Sequence, residues 1–233
     1  MTTKTLNISE EQLVDYSKAH NEPSWMTELR KKALKLTETL EMPKPDKTKL
    51  RKWDFDTFKQ HHTTGDSYHQ LTDLPKSVKE IIDVENSENL IIQHNNDLAY
   101  TQVSDQAKND GVIIEGLSEA LVNHSDLVQK YFMTKAVNVD EHRLTALHTA
   151  LVNGGIFVYV PKNTVVEHPI QYVVLHDDEQ ASFYNHAIIV TEESAEVTYV
   201  ENYLSTTSGE DNQLNIVSEV IAGANSNVDR KSV

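Results

Sequence analysis

The rhythm of apolar positions changes near residue 153. Before it, apolar residues mostly recur at helical spacing; after it they fall into short, dense runs of strand length. Trp25, Leu29, Ala33, Leu36 and Leu40 stand at steps of four and three, which predicts one buried stripe on a long helix. Pro23 suits the first turn of that helix, and Pro43 and Pro45 end it. Ahead of it, Ser9 followed by Gln12 has the form of a capping box and predicts a helix from Glu10 to about His20. Further on, the pattern predicts a short helix over Val78 to Ile82. Ser118 should cap a helix through Val122, Ser125 another through Phe132, and Asp140 a third over Glu141 to Val152. In the last of these Leu144, Leu147, His148 and Leu151 share a face, and Gly154-Gly155 closes it. Strands are expected at Leu90 to Gln93, Ala99 to Val103 and Gly111 to Ile114.

From Gly154 to Gly223 five runs rich in Val, Ile, Tyr and Phe begin near residues 156, 170, 182, 196 and 214. Between them lie Pro161-Lys162-Asn163, Asp177-Asp178-Glu179, Glu192-Glu193-Ser194 and a loop from Ser205 to Asn212. Both faces of the runs are apolar: Ile170, Tyr172 and Val174 alternate with Val173 and Leu175, so these strands should be covered on both sides. A sandwich, a double-stranded barrel and a stack of parallel coils all meet that condition. The charged connections, with no Asn-Gly or Asp-Gly between the first four runs, favour coils over hairpins. The tail ANSNVDRKSV reads as polar.

Composition narrows the chemistry. The chain has 233 residues and a net charge of −15, unevenly spread: residues 1–60 hold 12 basic and 10 acidic residues, the remainder 9 and 26. A body that acidic has no basic surface for phosphates, which argues against nucleic acid and anionic membranes as partners. The basic run Lys44 to Lys52 reads as a solvated linker. Cysteine is absent, which removes disulfides, thiolate nucleophiles and thiolate ligands for zinc or clusters. No apolar run reaches the roughly 20 residues of a membrane span, and the first residues lack the apolar stretch of a signal peptide, so a cytoplasmic protein is expected.

Histidines are the remaining candidates for chemistry. His61, His62 and His69 sit in a turn-rich stretch, but adjacent side chains point apart and define no ligand geometry. His148, on an apolar helical face, should be a hydrogen-bonded core residue. His168, His176 and His186 invite comparison with cupin-type metal barrels. Those need His-x-His with a glutamate shortly after, and no His-x-His occurs here. They are therefore expected as strand-surface or packing residues. Phosphate-loop, dinucleotide, nucleophile-elbow and His-Glu-x-x-His motifs are also missing.

Two stretches resemble a known family. Glu22 to Pro45, EPSWMTELRKKALKLTETLEMPKP, is similar to the N-terminal signature of the SufB/SufD family, a Glu-Pro-x-Trp-Met helix leading into a proline-rich joint. Asn153 to Gln171, NGGIFVYVPKNTVVEHPIQ, resembles the entry to that family's β-helix core. Within the family the chain is more similar to SufD of Gram-positive bacteria. Arg30 is followed by Lys31-Lys32-Ala33 where SufB has Arg-Leu-Lys-Ala, Pro45 is followed by Asp46-Lys47, and cysteine is absent.

The resemblance implies an α+β chain: an N-terminal helical region, then a truncated right-handed parallel β-helix. It divides the chain into 1–60 (helices and basic linker), 61–153 (mixed helix and strand) and 154–233 (the start of the β-helix). It also implies an interaction role without chemistry of its own, as a scaffold subunit of iron–sulfur cluster assembly associated with iron supply. The implied partners are a SufB-like paralogue and a SufC-like ATPase. The chain alone is expected to bind no cofactor, with an iron–sulfur cluster only in the full complex. Family members run to about twice this length, so a C-terminally truncated form is expected. The interface and ATPase-docking residues would lie in the other half, and no catalytic, cofactor-binding or metal residue is assigned here. A cupin-like metal-binding enzyme and a functionless gene fragment are the alternatives. The strand Leu214 to Ala222 is long, apolar and charged only at Glu219, so self-association through residues 214–222 is expected.

Overall fold

The structure, a computed structural model, describes residues 6–50, 53–55, 57–59, 65–82, 87–179, 181–205 and 214–232. It opens with the antiparallel pair α1 (Glu10–Ala19) and α2 (Ser24–Thr39). The capping box forms as expected: Ser9 Oγ accepts from Gln12 N, and the Gln12 side chain accepts from Ser9 N. The buried line of α2 is Met26, Arg30, Ala33 and Thr37, one step round from the expected stripe. Trp25, Leu29 and Leu36 flank it, half-buried.

A short α3 (Lys76–Lys79) precedes β1 (Asn89–His94) and β2 (Asp97–Gln102). Then come α4 (Asp105–Asn109), which the pattern did not indicate, β3 (Ile113–Gly116), α5 (Leu117–Asn123), α6 (Ser125–Tyr131) and α7 (Arg143–Leu151). The cap of α7 is His142, not Asp140. His142 Nδ1 accepts from Thr145 N while Thr145 Oγ1 accepts from His142 N. The strands that follow are β4 (Gly154–Val160), β5 (Ile170–His176), β6 (Phe183–Thr191), β7 (Glu196–Ser205), β8 (Leu214–Ala222) and β9 (Asn227–Ser232). The expected polar tail thus contains a strand. Only Val228 of β9 packs on the core, so the apolar pattern carried no signal for it.

From β4 onward consecutive strands alternate between two sheets, ordered β2-β1-β5-β7-β9 and β3-β4-β6-β8. All pairs among β4 to β9 are parallel, as is β1 with β5; β1–β2 and β3–β4 are antiparallel. Parallel pairing sets aside the sandwich and the double-stranded barrel, which are antiparallel architectures. Corners stack as well as strands. Asn163, Ser194 and Asn225 each adopt positive φ at the turn after β4, β6 and β8. Asn163 N donates to Glu193 O at 3.0 Å, and Ser194 N donates to Ala224 O at 2.9 Å.

Both faces of the strands are covered, as their composition indicates. Between the sheets lies a core including Ile156, Val158, Tyr172, Phe183, Ile189 and Tyr199. Met26, Leu121 and Phe132 from the helices cover Phe157, Ile188 and Val190 on the outer face of the four-stranded sheet. Leu74 and Val78 cover Leu90, Ile92 and Val173 on the other sheet.

Candidate functional site

Three groups of buried polar side chains stand out in this frame. The first joins the helical pair to the sheets. Arg30 donates to Glu22 through Nε (2.8 Å) and Nη2 (2.6 Å), and to the carbonyls of Ala150 (2.9 Å) and Val152 (2.8 Å). These carbonyls are at the C-terminal end of α7, where a cation also meets the negative end of the helix dipole. Burial works against the Glu22 carboxylate, but the Arg30 charge and hydrogen bonds outweigh it and hold Glu22 below the usual range. Tyr16 lies under the guanidinium, 5.0 Å from ring centre to Cζ, and burial pushes its hydroxyl up to about 12. Trp25 Nε1 donates to Ser125 Oγ at 2.9 Å, and Met26 is fully buried. The Glu-Pro-x-Trp-Met stretch therefore does docking work.

The second group lies at the joint between α7 and β4. Asn153 Nδ2 donates to Ser182 O, and Asn153 Oδ1 accepts from Tyr184 N. Gly155 has φ 147°, and a Cβ there would run into the His186 carbonyl oxygen. Its N–H donates to Gln93 Oε1 at 3.0 Å, which also accepts from Tyr172 Oη (2.5 Å) and Asn185 Nδ2 (3.2 Å). Near the ends of β1 and β5, His94 Nε2 lies 2.9 Å from Asp177 Oδ2, and His94 Nδ1 accepts from Asp66 N. Burial opposes the Asp177 charge, yet hydrogen bonds from His94 and Asn95 lower its pKa.

The third group is a file through the outer side of the four-stranded sheet. His148 Nδ1 lies 2.9 Å from Asn215 Oδ1, His148 Nε2 lies 3.0 Å from His186 Nδ1, and His186 Nε2 lies 3.0 Å from Glu219 Oε1. Glu219 Oε1 also accepts from Met133 N (2.7 Å), and Oε2 from Val137 N (3.1 Å). His148, His186 and Glu219 have no exposed surface.

The expected hydrogen-bonded core histidine, His148, is thus found as such. His186 is its partner. His176 is buried against Phe183, and neither of its ring nitrogens has a hydrogen-bond partner among the described residues. His168 is half-buried and His69 exposed, while His61 and His62 lie outside the described residues. Among the described residues no group of three or more His, Asp or Glu is placed to hold a metal ion, and no helix is long and apolar enough to cross a membrane. Sequence reasoning missed the roles of Asn215 and Glu219. The available signal was a lone carboxylate in an apolar strand, with Asn215 four residues earlier on the same face.

β8 and β9 each pair on one side only among the described residues. On the inward face of β8, Leu214, Ile216 and Val220 remain 50, 38 and 38 % exposed. On the facing sheet Arg230 of β9 pairs with the buried Glu201 of β7 and donates to Ser218 Oγ of β8.

Comparison with known proteins gives a consistent result. Residues 10–172 match the family model described as the SufBD protein N-terminal region. The chain is 47% identical over 224 residues to the iron-sulfur cluster assembly protein SufD of Bacillus subtilis, covering 96% of this chain and 51% of that relative. An iron-sulfur cluster assembly SufBD family protein of Pyrococcus horikoshii is 29% identical over 205 residues, 84% of this chain and 45% of the relative. The chain spans about half the length of these two relatives.

Proposed function

Because the chain belongs to the SufB/SufD family, we propose that it acts as a SufD-like scaffold subunit in iron–sulfur cluster assembly, an interaction component without chemistry of its own. The observation that carries this is the 47% identity to SufD across nearly the whole chain. The geometry supports it: residues of the two stretches that carry the resemblance, Glu22, Trp25 and Met26 in one and Asn153 and Gly155 in the other, join helices to sheets. Its partners are a SufB-like paralogue and a SufC-like ATPase, and it works in the cytoplasm. A cluster is held only in the context of that complex. The strands that alternate between two parallel sheets, with stacked corners at Asn163, Ser194 and Asn225, are read as coils of a right-handed parallel β-helix. The exposed apolar face of β8 makes residues 214–222 a surface for self-association when no partner covers it.

The test is made in the host. Purification of the protein expressed from its own chromosomal gene, tagged at the N-terminus, should recover the paralogue and the ATPase, identified by mass spectrometry. Removal of the gene should lower the activity of iron–sulfur enzymes in lysates. Unchanged enzyme activity, together with no recovery of either partner, would overturn the proposal.

A further inference from the structure

The buried file Asn215–His148–His186–Glu219 has a countable set of places for protons. Asn215 turns its amide oxygen toward His148 Nδ1. An amide oxygen only accepts, so Nδ1 carries the proton of this contact. A neutral His148 then presents a bare Nε2, and His186 Nδ1 must donate to it across 3.0 Å. A neutral His186 would in turn have a bare Nε2, facing a carboxylate oxygen at 3.0 Å. Two acceptors with no proton between them repel, and both are fully buried. The Met133 and Val137 N–H groups already donate to Glu219, which favours its ionised form.

We propose that this file binds one proton, held as a His186 imidazolium against the Glu219 carboxylate, and that the bound proton latches β8 to the segment 133–137 and to α7. Glu219 and Asn215 are the β8 side of the latch. The Met133 and Val137 N–H groups, with His148 of α7, are the other side.

Loss of the proton leaves one arrangement in which every contact is still made. The Asn215 amide turns over and donates to His148 Nδ1, His148 Nε2–H donates to His186 Nδ1, and His186 Nε2–H donates to Glu219. Two links reverse direction, and Glu219 is left as a lone buried charge. Desolvation opposes that state, so the folded protein keeps the proton. Among the described residues, the ion pair that Glu219 makes is with His186 alone. His186 packs on Phe132 at 4.6 Å, and His148 faces Tyr184 of β6 at 6.1 Å. The charge that acts on His148 at the other end is Arg30 of α2, which Glu22 pairs. Burial, the facing His186 and Arg30 together pull His148 well below the ordinary histidine range, which makes it the neutral member of the file.

The pH dependence follows from counting protons. At about pH 7 to 9 the unfolded chain has both histidines neutral and the glutamate ionised, so the folded state carries one proton more. Its unfolding constant should therefore rise about tenfold per pH unit. Below about pH 6.5 the unfolded histidines take up protons and the slope reverses.

The experiment combines histidine nitrogen NMR of the full chain at about pH 7.5 with denaturation between pH 7 and 9 for wild type and the double variant His186→Phe/Glu219→Leu. The expected spectrum has both nitrogens of His186 protonated and His148 as the Nδ1–H tautomer. The excess tenfold dependence per pH unit should be present in wild type and absent in the variant. A neutral His186 protonated only at Nε2, or equal slopes in the two proteins, would overturn the proposal. If the variant does not fold, the wild-type spectrum decides alone. None of these readouts depends on the assembly partners.

Discussion

Glu22 and Arg30 show what single residues contribute here. Both side chains are almost fully buried, and the guanidinium satisfies two α7 carbonyls as well as the carboxylate. Removing one member strands the other as a buried charge. Glu22→Ala is therefore expected to cost about 3–5 kcal/mol in urea denaturation at neutral pH. Because Arg30 holds the folded pKa of Glu22 below the ordinary carboxylate value, its stabilisation is fully present above that ordinary value. It is lost as pH falls through the lower folded value. The stabilities of wild type and Glu22→Ala should converge on strong acidification, and a constant gap would contradict the ion-pair account. At Gly155 the constraint is backbone shape. Its φ of 147° and the His186 carbonyl beside it exclude a side chain, so Gly155→Ala should lose more than about 1 kcal/mol by the same measurement.

At the scale of elements, α2 was legible in the sequence and its buried face was not. Periodicity located the helix, Ser24–Thr39, but four-and-three spacing fits two neighbouring stripes equally well. The stripe containing Arg30 has no apolar signal at that position, since a charged residue is rarely buried, and here Glu22 and two carbonyls make its burial acceptable. The energetic weight moves with the face. Met26→Ala should cost about 2–5 kcal/mol, the range for a fully buried methionine. Leu36→Ala, at a half-buried position, should cost clearly less, and equal losses would mean that the face has been misplaced. β9 presents the converse case. Its residues are polar because most of its surface is exposed, yet it pairs in register with β7 from Glu196↔Asn227 to Glu201↔Ser232.

For the whole molecule the decisive feature is the incompletely covered space between the sheets at β8 and β9. Leu214, Ile216 and Val220 face inward and still meet solvent. Exposed apolar strand surface with an unpaired edge favours association. Sedimentation at micromolar concentration should show self-association, and Lys at Ile216 and Val220 together should reduce it. A wild type that stays monomeric would remove the proposed surface. The absence of cysteine leads to a separate expectation. After anaerobic treatment with iron and sulfide, the isolated chain should leave a gel-filtration column colourless. Stoichiometric colour retained on the protein would contradict the proposed division of labour with its partners.

The sequence by itself determined most of the order of elements, though not α4 or β9, the two-faced burial of β4, β5 and β6, and the family, through Glu22 to Pro45 and Asn153 to Gln171. These are local matters: periodicity, capping and short motifs are written in neighbouring residues. Tertiary structure alone decided which stripe of α2 is buried, that the polar stretch 227–232 is a strand, and that corners at 163, 194 and 225 stack. It also brought Asn215, His148, His186 and Glu219 into one file. His148 and Glu219 are far apart in the chain. Their meeting depends on the parallel register of β6 with β8, which sets His186 opposite Val217, between Asn215 and Glu219. Register between strands is a property of the packed sheet, and no spacing within one strand encodes it.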